Sequence, residues 1–96
     1  MNQAQQLQIK IDDITMKGVY ANMMSIAHTK EEFVLDFLHI AAAQQQGIAV
    51  ARVVVSPGHA KRILSAIKEN LEKYEAAFGK IEAAKEPTSG GVGFQA

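Results

Sequence analysis

Several features that define whole classes of protein are missing from this 96-residue chain. It has no cysteine, which excludes disulfide bonds and thiolate chemistry and is consistent with a reducing compartment. No apolar run approaches the roughly 20 residues that cross a bilayer. The opening MNQAQQLQIKIDD has neither a basic start nor an apolar core, so no export signal is predicted. We therefore expect a cytoplasmic protein with no membrane partner.

The chain also lacks an excess of charge of either sign, because ten lysine and arginine residues balance ten aspartate and glutamate residues. A balanced chain has no global field that would attract nucleic acid. Only Arg52, Lys61 and Arg62 are grouped closely enough in the predicted structure to form a local basic patch. Three charges are a weak footprint for a polyanion. Nucleic-acid binding through this patch is therefore the alternative hypothesis, and direct contact is not expected.

No constellation of reactive side chains is recognisable. His28, His39 and His59 fall in three different segments, and none has a second ligand at the spacing of a helical metal site. The acidic pairs at residues 12–13 and 31–32 are adjacent in sequence, so their carboxylates diverge instead of converging on one substrate. We expect no enzyme, no metal, no cofactor and no small-molecule ligand.

The most strongly patterned segment is a helix near the carboxy terminus. Ser56 is a good cap, Pro57 suits the first helical position, and Gly79 suits the end. Between them, apolar residues follow at alternating spacings of four and three: Ala60, Leu64, Ile67, Leu71, Tyr74 and Phe78. The pattern predicts a helix over Pro57–Phe78. We expect its apolar seam to cover the protein's own sheet and, at its margin, to contact a second chain.

The preceding segments are patterned as strands. Residues 6–12 alternate strictly between apolar and polar, which predicts a half-buried edge strand. Residues 19–28 favour a strand with apolar side chains on both faces, and residues 48–55 form a β-branched strand that ends at a proline. Residues 33–40 are ambiguous, because Thr29 and Glu32 imitate a helical capping box, but the hairpin that they would form favours a strand.

These segments predict a single α+β domain over residues 1–81. It has an antiparallel sheet of three to four strands, followed by one long C-terminal helix packed on the sheet. Residues 82–96 are rich in glycine, serine and threonine and predict a flexible tail. The pattern does not decide the conformation of residues 41–47, and their three alanines allow a short helical turn.

A partner interface follows from the two-sided character of residues 19–28. If the helix covers one face of this strand, the other face stays apolar and exposed, and contiguous exposed apolar surface marks an interface. The predicted contact residues are Met23, Val19 and Ala21 on that face and Ile63 at the margin of the helix.

Two blocks of the sequence resemble a known family. They are KGVYANMMSIAHTKEEFVLDFLHI and RVVVSPGHAKRILSAIKENLEKYEAAFGKI, which span about residues 18–81 and are similar to domain of unknown function 3467, a family of small bacterial and archaeal proteins. The resemblance implies strands followed by one long helix and supports a strand at residues 33–40. It brings no catalytic residue. Residues 41–47 depart from a proline-containing segment that is frequent in the family.

The resemblance also implies RNA polymerase as a candidate partner, because some members are encoded beside its largest subunit. The function expected from the whole sequence is a non-enzymatic protein-interaction module. It would act as a homo-oligomer or as an accessory subunit of a larger complex.

Overall fold

The computed structural model describes residues 5–88 and 90–94. The elements in chain order are α1 (Asp13–Lys17), β1 (Met23–His28), β2 (Phe33–Ala41), a single 3-10 turn (Ala42–Gln44), β3 (Gln46–Val55) and α2 (Pro57–Phe78). The strands form one antiparallel sheet in the order β1-β2-β3. The predicted α+β class, with an antiparallel sheet followed by one long C-terminal helix, is confirmed.

The centre of the sheet is β2, the segment whose pattern was ambiguous. Thr29 does not begin a helix. Its Oγ1 accepts hydrogen bonds from the amides of Glu31 and Glu32, each at 3.2 Å, as a helix cap would, but the chain continues into β2 at Phe33. The amide of Thr29 in turn donates to the carbonyl of Glu32 at 2.9 Å. These bonds close a tight turn that places β2 against β1, with His28 opposite Phe33. The predicted strand is confirmed, and the apparent helix cap is a turn cap.

The connection from β2 to β3 is a single 3-10 turn. The turn at Ala42–Gln44 was allowed by the alanines, and Gln45 ends it in the left-handed region at φ 52°. A Cβ atom on Gly47 would lie 2.6 Å from Cδ1 of Ile40, so a larger residue there would require the flexible end of the Ile40 side chain to move. Further along, the register shifts between Phe37 and Leu38, which marks a β-bulge.

The long helix begins and ends as its sequence predicts. The Ser56 side chain accepts a hydrogen bond from the amide of His59 at 3.1 Å, and Pro57 occupies the first turn. Gly79 ends the helix with a positive φ of 102°, and its amide donates to the carbonyl of Glu75 at 3.0 Å. The 22 residues of α2 span roughly 33 Å at 1.5 Å per residue.

The amino-terminal segment differs from its prediction. Residues 6–12 form no strand, and β1 begins at Met23 instead of residue 19. Between them, Asp12 caps the short helix α1 by accepting a bond from the amide of Thr15 at 2.7 Å. Alternation alone does not make a segment pair, and residues 6–12 join neither outer strand of the sheet. No fourth strand is formed by the described residues.

The predicted packing of the helix on its own sheet is not observed. No residue of α2 is buried, and Leu71 in the middle of the seam, expected to be buried, is 45% exposed. The reason is the connection: only Ser56 separates β3 from α2, whereas two to six residues usually allow a helix to fold back over the preceding strand. The apolar core of the described residues is limited to Leu35 and Leu38 in β2.

The molecule is extended as a result. Its radius of gyration is 17.1 Å, against about 12.5 Å for a compact domain of this length. Its accessible surface is 9095 Å², whereas a compact 10.4 kDa monomer exposes about 5,400 Å². A large share of the surface that a folded chain buries is therefore still open to solvent.

Replacing the helix cap tests the boundary between β3 and α2. Ser56→Ala removes the acceptor for the His59 amide and should lower the free energy of unfolding by about 0.5–2 kcal/mol. Chemical denaturation at fixed protein concentration measures the change. Ser65→Ala, on the exposed helix surface, is the matched control and should be neutral or slightly stabilising. Equal effects of the two substitutions would contradict the cap.

Candidate protein interface

The two faces of the sheet have different chemistry. Side chains alternate between faces along each strand, and the observed register aligns them across strands. We define the apolar sheet face as the side that carries Met24, Ile26, His28, Phe33, Leu35, Phe37, Ala51, Val53 and Val55. At its centre, Leu35 is buried in register with Ile26 and Val53. On the outer strands the side chains remain open, and Ile26 is 54% exposed.

The opposite face of the sheet is organised by an ion pair. Arg52 donates from Nε to Oδ1 of Asp36 at 2.6 Å and from Nη2 to Oδ2 at 3.0 Å, so both carboxylate oxygens are engaged. Asp36 is buried, whereas the Arg52 side chain is 62% exposed. The hydrogen bonds from Arg52 lower the pKa of Asp36 and outweigh its desolvation, and the same bonds raise the pKa of Arg52. The pair keeps a buried carboxylate ionised in the central strand.

The seam of α2 forms a second exposed apolar surface. We define the helix seam as Leu64, Ile67, Leu71, Tyr74 and Phe78, all of which are exposed. The rings of Tyr74 and Phe78 lie 5.0 Å apart, and Phe78 is 76% exposed. Beyond the helix, the amide of Ile81 donates to Oε2 of Glu75 at 2.8 Å, which holds Ile81 beside the seam. Ile81 and the seam from Ile67 to Phe78 together line a shallow groove.

The structure distributes the four predicted contact residues unevenly. Val19 is exposed ahead of β1, whereas Ala21, Met23 and Ile63 are half-buried. Met23 pairs in register with buried Leu38, so it belongs to the face of the ion pair and not to the apolar sheet face. A partner contact by these four residues stays a prediction. The more exposed apolar residues of β1 lie on the apolar sheet face. The alternation of the sequence could not distinguish the two faces of this strand, because both carry apolar side chains.

A residue that the sequence did not single out ties the start of β1 to the sheet. The side chain of Asn22 accepts from the amide of Ile40 at 2.8 Å and donates to its carbonyl at 3.0 Å. The backbone amide of Asn22 also donates to the carbonyl of Leu38 at 2.9 Å. The asparagine side chain thus imitates one more strand residue. Just before it, Tyr20 contacts His39 edge to face, with 5.2 Å between the ring centroids.

The basic residues of the alternative hypothesis have different surroundings. Arg52 is engaged by Asp36, whereas Lys61 and Arg62 are exposed on the second turn of α2. Nucleic-acid contact by these residues stays a prediction. Across residues 5–88 and 90–94, no three potential metal ligands come together. In the same residues, no helix has the length and apolar character needed to cross a membrane.

The carboxy-terminal segment lies beside the β2–β3 connection. Residues 86–88 and 90–94 border a groove together with Leu38, Ile40 and residues 45–49. Pro87, Thr88 and Val92 are half-buried in this position. The division between a domain at residues 1–81 and a flexible tail at residues 82–96 stays a prediction.

A three-stranded antiparallel sheet with one open apolar face, continued by a long amphipathic helix, defines a small α+β protein with two unpartnered apolar surfaces. The chain matches the sequence model of the family described as protein of unknown function (DUF3467) over residues 1–83, and it belongs to that family. The resemblance seen in the two sequence blocks is thereby confirmed. No curated protein and no solved structure matches the chain.

The ion pair predicts a specific pH dependence of stability. Because the pKa of Asp36 is lowered in the folded state, its contribution is present above the ordinary carboxyl pKa of about 3.9 and is lost as pH falls through the lowered value. Arg52→Gln should therefore be less stable than the parent chain at pH 7, and the difference should shrink below about pH 4. Urea denaturation at several pH values measures both curves.

The matched control is Lys73→Gln, which removes the exposed pair between Lys73 and Glu69, 3.3 Å apart. An exposed pair contributes little to stability, so this variant should follow the parent chain at every pH. A gap between Arg52→Gln and the parent that stays constant from pH 7 to pH 3 would contradict the assigned role of Asp36.

Proposed function

We propose that this protein is a cytoplasmic, non-enzymatic protein-interaction module that acts as a homo-oligomer or as an accessory subunit of a larger complex. The observation that carries the proposal is the open surface. The apolar sheet face and the helix seam are both exposed, and the chain shows 9095 Å² to solvent where a compact monomer would show about 5,400 Å². Exposed contiguous apolar surface is typical of a chain that is covered by a partner.

The two surfaces also have the composition of an interface core. Interface cores are depleted in charged residues and enriched in aromatic residues and methionine. The helix seam supplies Tyr74 and Phe78, the apolar sheet face supplies Met24, and neither surface contains a lysine, arginine, aspartate or glutamate. Charged side chains flank the seam on the outer side of α2, which is the arrangement of a rim around an apolar centre.

RNA polymerase is the candidate larger complex that the family resemblance implies. The nucleic-acid alternative has less support, because Arg52 already donates two hydrogen bonds to Asp36 and the chain has no net charge. The two hypotheses differ in their response to salt. Binding to nucleic acid weakens steeply as salt is raised, whereas assembly through apolar surfaces does not.

A single polar substitution on the helix seam tests the proposal. Ile67→Gln should shift the assembled chain toward the monomer by at least tenfold in dissociation constant, because it places an amide at the centre of the apolar contact. Glu69→Gln introduces the same residue two positions along, on the opposite side of α2, and is the matched control. Sedimentation equilibrium measures self-assembly.

Purification of the tagged chain from its native cell, with identification of the co-purifying subunits, measures the hetero-complex. RNA polymerase subunits should be recovered with the parent chain and with Glu69→Gln, and lost with Ile67→Gln. A parent chain that sediments as a monomer at high micromolar concentration and recovers no partner would overturn the proposal.

A further inference from the structure

We propose that the partner on both apolar surfaces is a second copy of this chain, with the helix seam of each copy lying across the apolar sheet face of the other. The inference rests on the proposed function and specifies it. It assigns the interface to Met24, Ile26 and Val53 on one side and to the helix seam on the other. The assembly is a two-fold symmetric dimer with exchanged helices.

The first argument is that the helix cannot cover the sheet from which it emerges. Ser56 is the single residue between β3 and α2, and it is extended, with φ −70° and ψ 157°. Its side chain caps the helix, so the turn is already defined at this residue. A helix held in this way leaves its own sheet, and its seam stays exposed. A second copy brings the same sheet face, which is uncovered for the same reason.

The second argument is that the two surfaces match in size. The helix seam runs from Leu64 to Phe78, which is roughly 21 Å along α2. The apolar sheet face spans five residues of each strand, which is about 17 Å of strand. Three strands are about 10 Å across, which is close to the 10–12 Å diameter of a helix with its side chains. One helix therefore covers one sheet face. In a dimer, both helix seams and both apolar sheet faces are covered.

The third argument is the area to be buried. The surface in excess of a compact monomer is about 3,700 Å² for each chain, of which the exposed residues 5–20 and 79–86 account for a part. Obligate homodimers bury 2,000–5,000 Å² or more in total, so the excess is sufficient for such an interface. Because the chain carries no net charge, two identical copies meet without long-range repulsion.

Pairing of the two helices alone is the competing arrangement, since the seam has alternating four- and three-residue spacing. It would cover Leu64, Ile67 and Leu71 but leave Met24 and Ile26 of both copies in water. Exchange of helices covers all four surfaces at once, which is why we favour it. A two-fold axis also makes the contact self-complementary, because each pair of contacting residues occurs twice.

The absence of cysteine makes a cross-linking experiment specific. Leu71→Cys is prepared in an isotopically labelled chain and Ile26→Cys in an unlabelled chain. The two are unfolded, mixed, refolded together and treated with a short bismaleimide. Mass spectrometry of the covalent dimers then distinguishes mixed from identical pairs. The matched control replaces Ile26→Cys by Val54→Cys, which is equally exposed at 50% but lies on the opposite sheet face.

The expected result is a mixed Leu71–Ile26 dimer at a yield at least fivefold above the Leu71–Val54 control. Met24→Cys with Ile67→Cys gives a second pair in case one variant fails to refold, which circular dichroism reports. A Leu71–Leu71 product that exceeds the mixed product would overturn exchange in favour of paired helices. A covalent monomer formed by the double variant Ile26→Cys/Leu71→Cys would overturn it in favour of a helix folded on its own sheet.

Sedimentation of the parent chain separates failure of this inference from failure of the proposed function. A stable dimer without the mixed cross-link would overturn the exchange of helices but not the proposal that the protein is an interaction module. A monomer that still binds RNA polymerase subunits overturns the second copy as partner and again leaves the module intact. A monomer without a partner overturns both.

Discussion

The one-residue connection between the sheet and the long helix decides the shape of this molecule. Ser56 leaves β3 in an extended conformation and immediately caps α2, and Pro57 adds a fixed backbone angle at the first helical position. There is no loop in which the chain could reverse its direction. The helix therefore departs from the sheet, and the apolar seam and the apolar sheet face are left exposed together. Both the extended shape and the proposal of a partner follow from this single junction.

Within the sheet, the central strand determines which face is free for that partner. Asp36 is buried in β2 and is matched by Arg52 in β3, so one face carries a charged pair that must stay satisfied. Breaking such a pair would leave a buried charge without its counterion, which is costly. The other face carries only apolar side chains and histidine along the same strands. The ion pair thus makes one face of the sheet charged and leaves the other face as the apolar one.

Much of the local structure could be predicted because it depends on neighbours in the chain. The limits of α2 follow from Ser56, Pro57 and Gly79, and β3 follows from its β-branched residues. Thr29 shows the limit of such reasoning, since its hydroxyl can cap a helix or a tight turn with the same hydrogen bonds. Only pairing with β1 decides between them. Residues 6–12 show the converse, because they have the pattern of a strand but pair with neither outer strand of the sheet.

The candidate site was less predictable than the elements that carry it. The side chains on both faces of β1 are apolar, so the pattern could not distinguish the face of Met23 from the face of Met24. The structure shows that Met24 is the more exposed of the two, and it lies on the face opposite to the predicted contact. The Asp36–Arg52 pair joins residues 16 positions apart and needs the strand register, which no local signal encodes.

The amino-acid sequence by itself determined the class of the protein, the limits of α2 and the presence of β3, because capping, turn and periodicity signals act over a few residues, and its two characteristic blocks indicated the family. Only the tertiary structure decided that the helix stands away from its sheet, which face of the sheet stays open, and where the buried carboxylate finds its counterion. The first depends on the direction in which α2 leaves β3, which is set at Ser56, and the other two depend on the register of the strands.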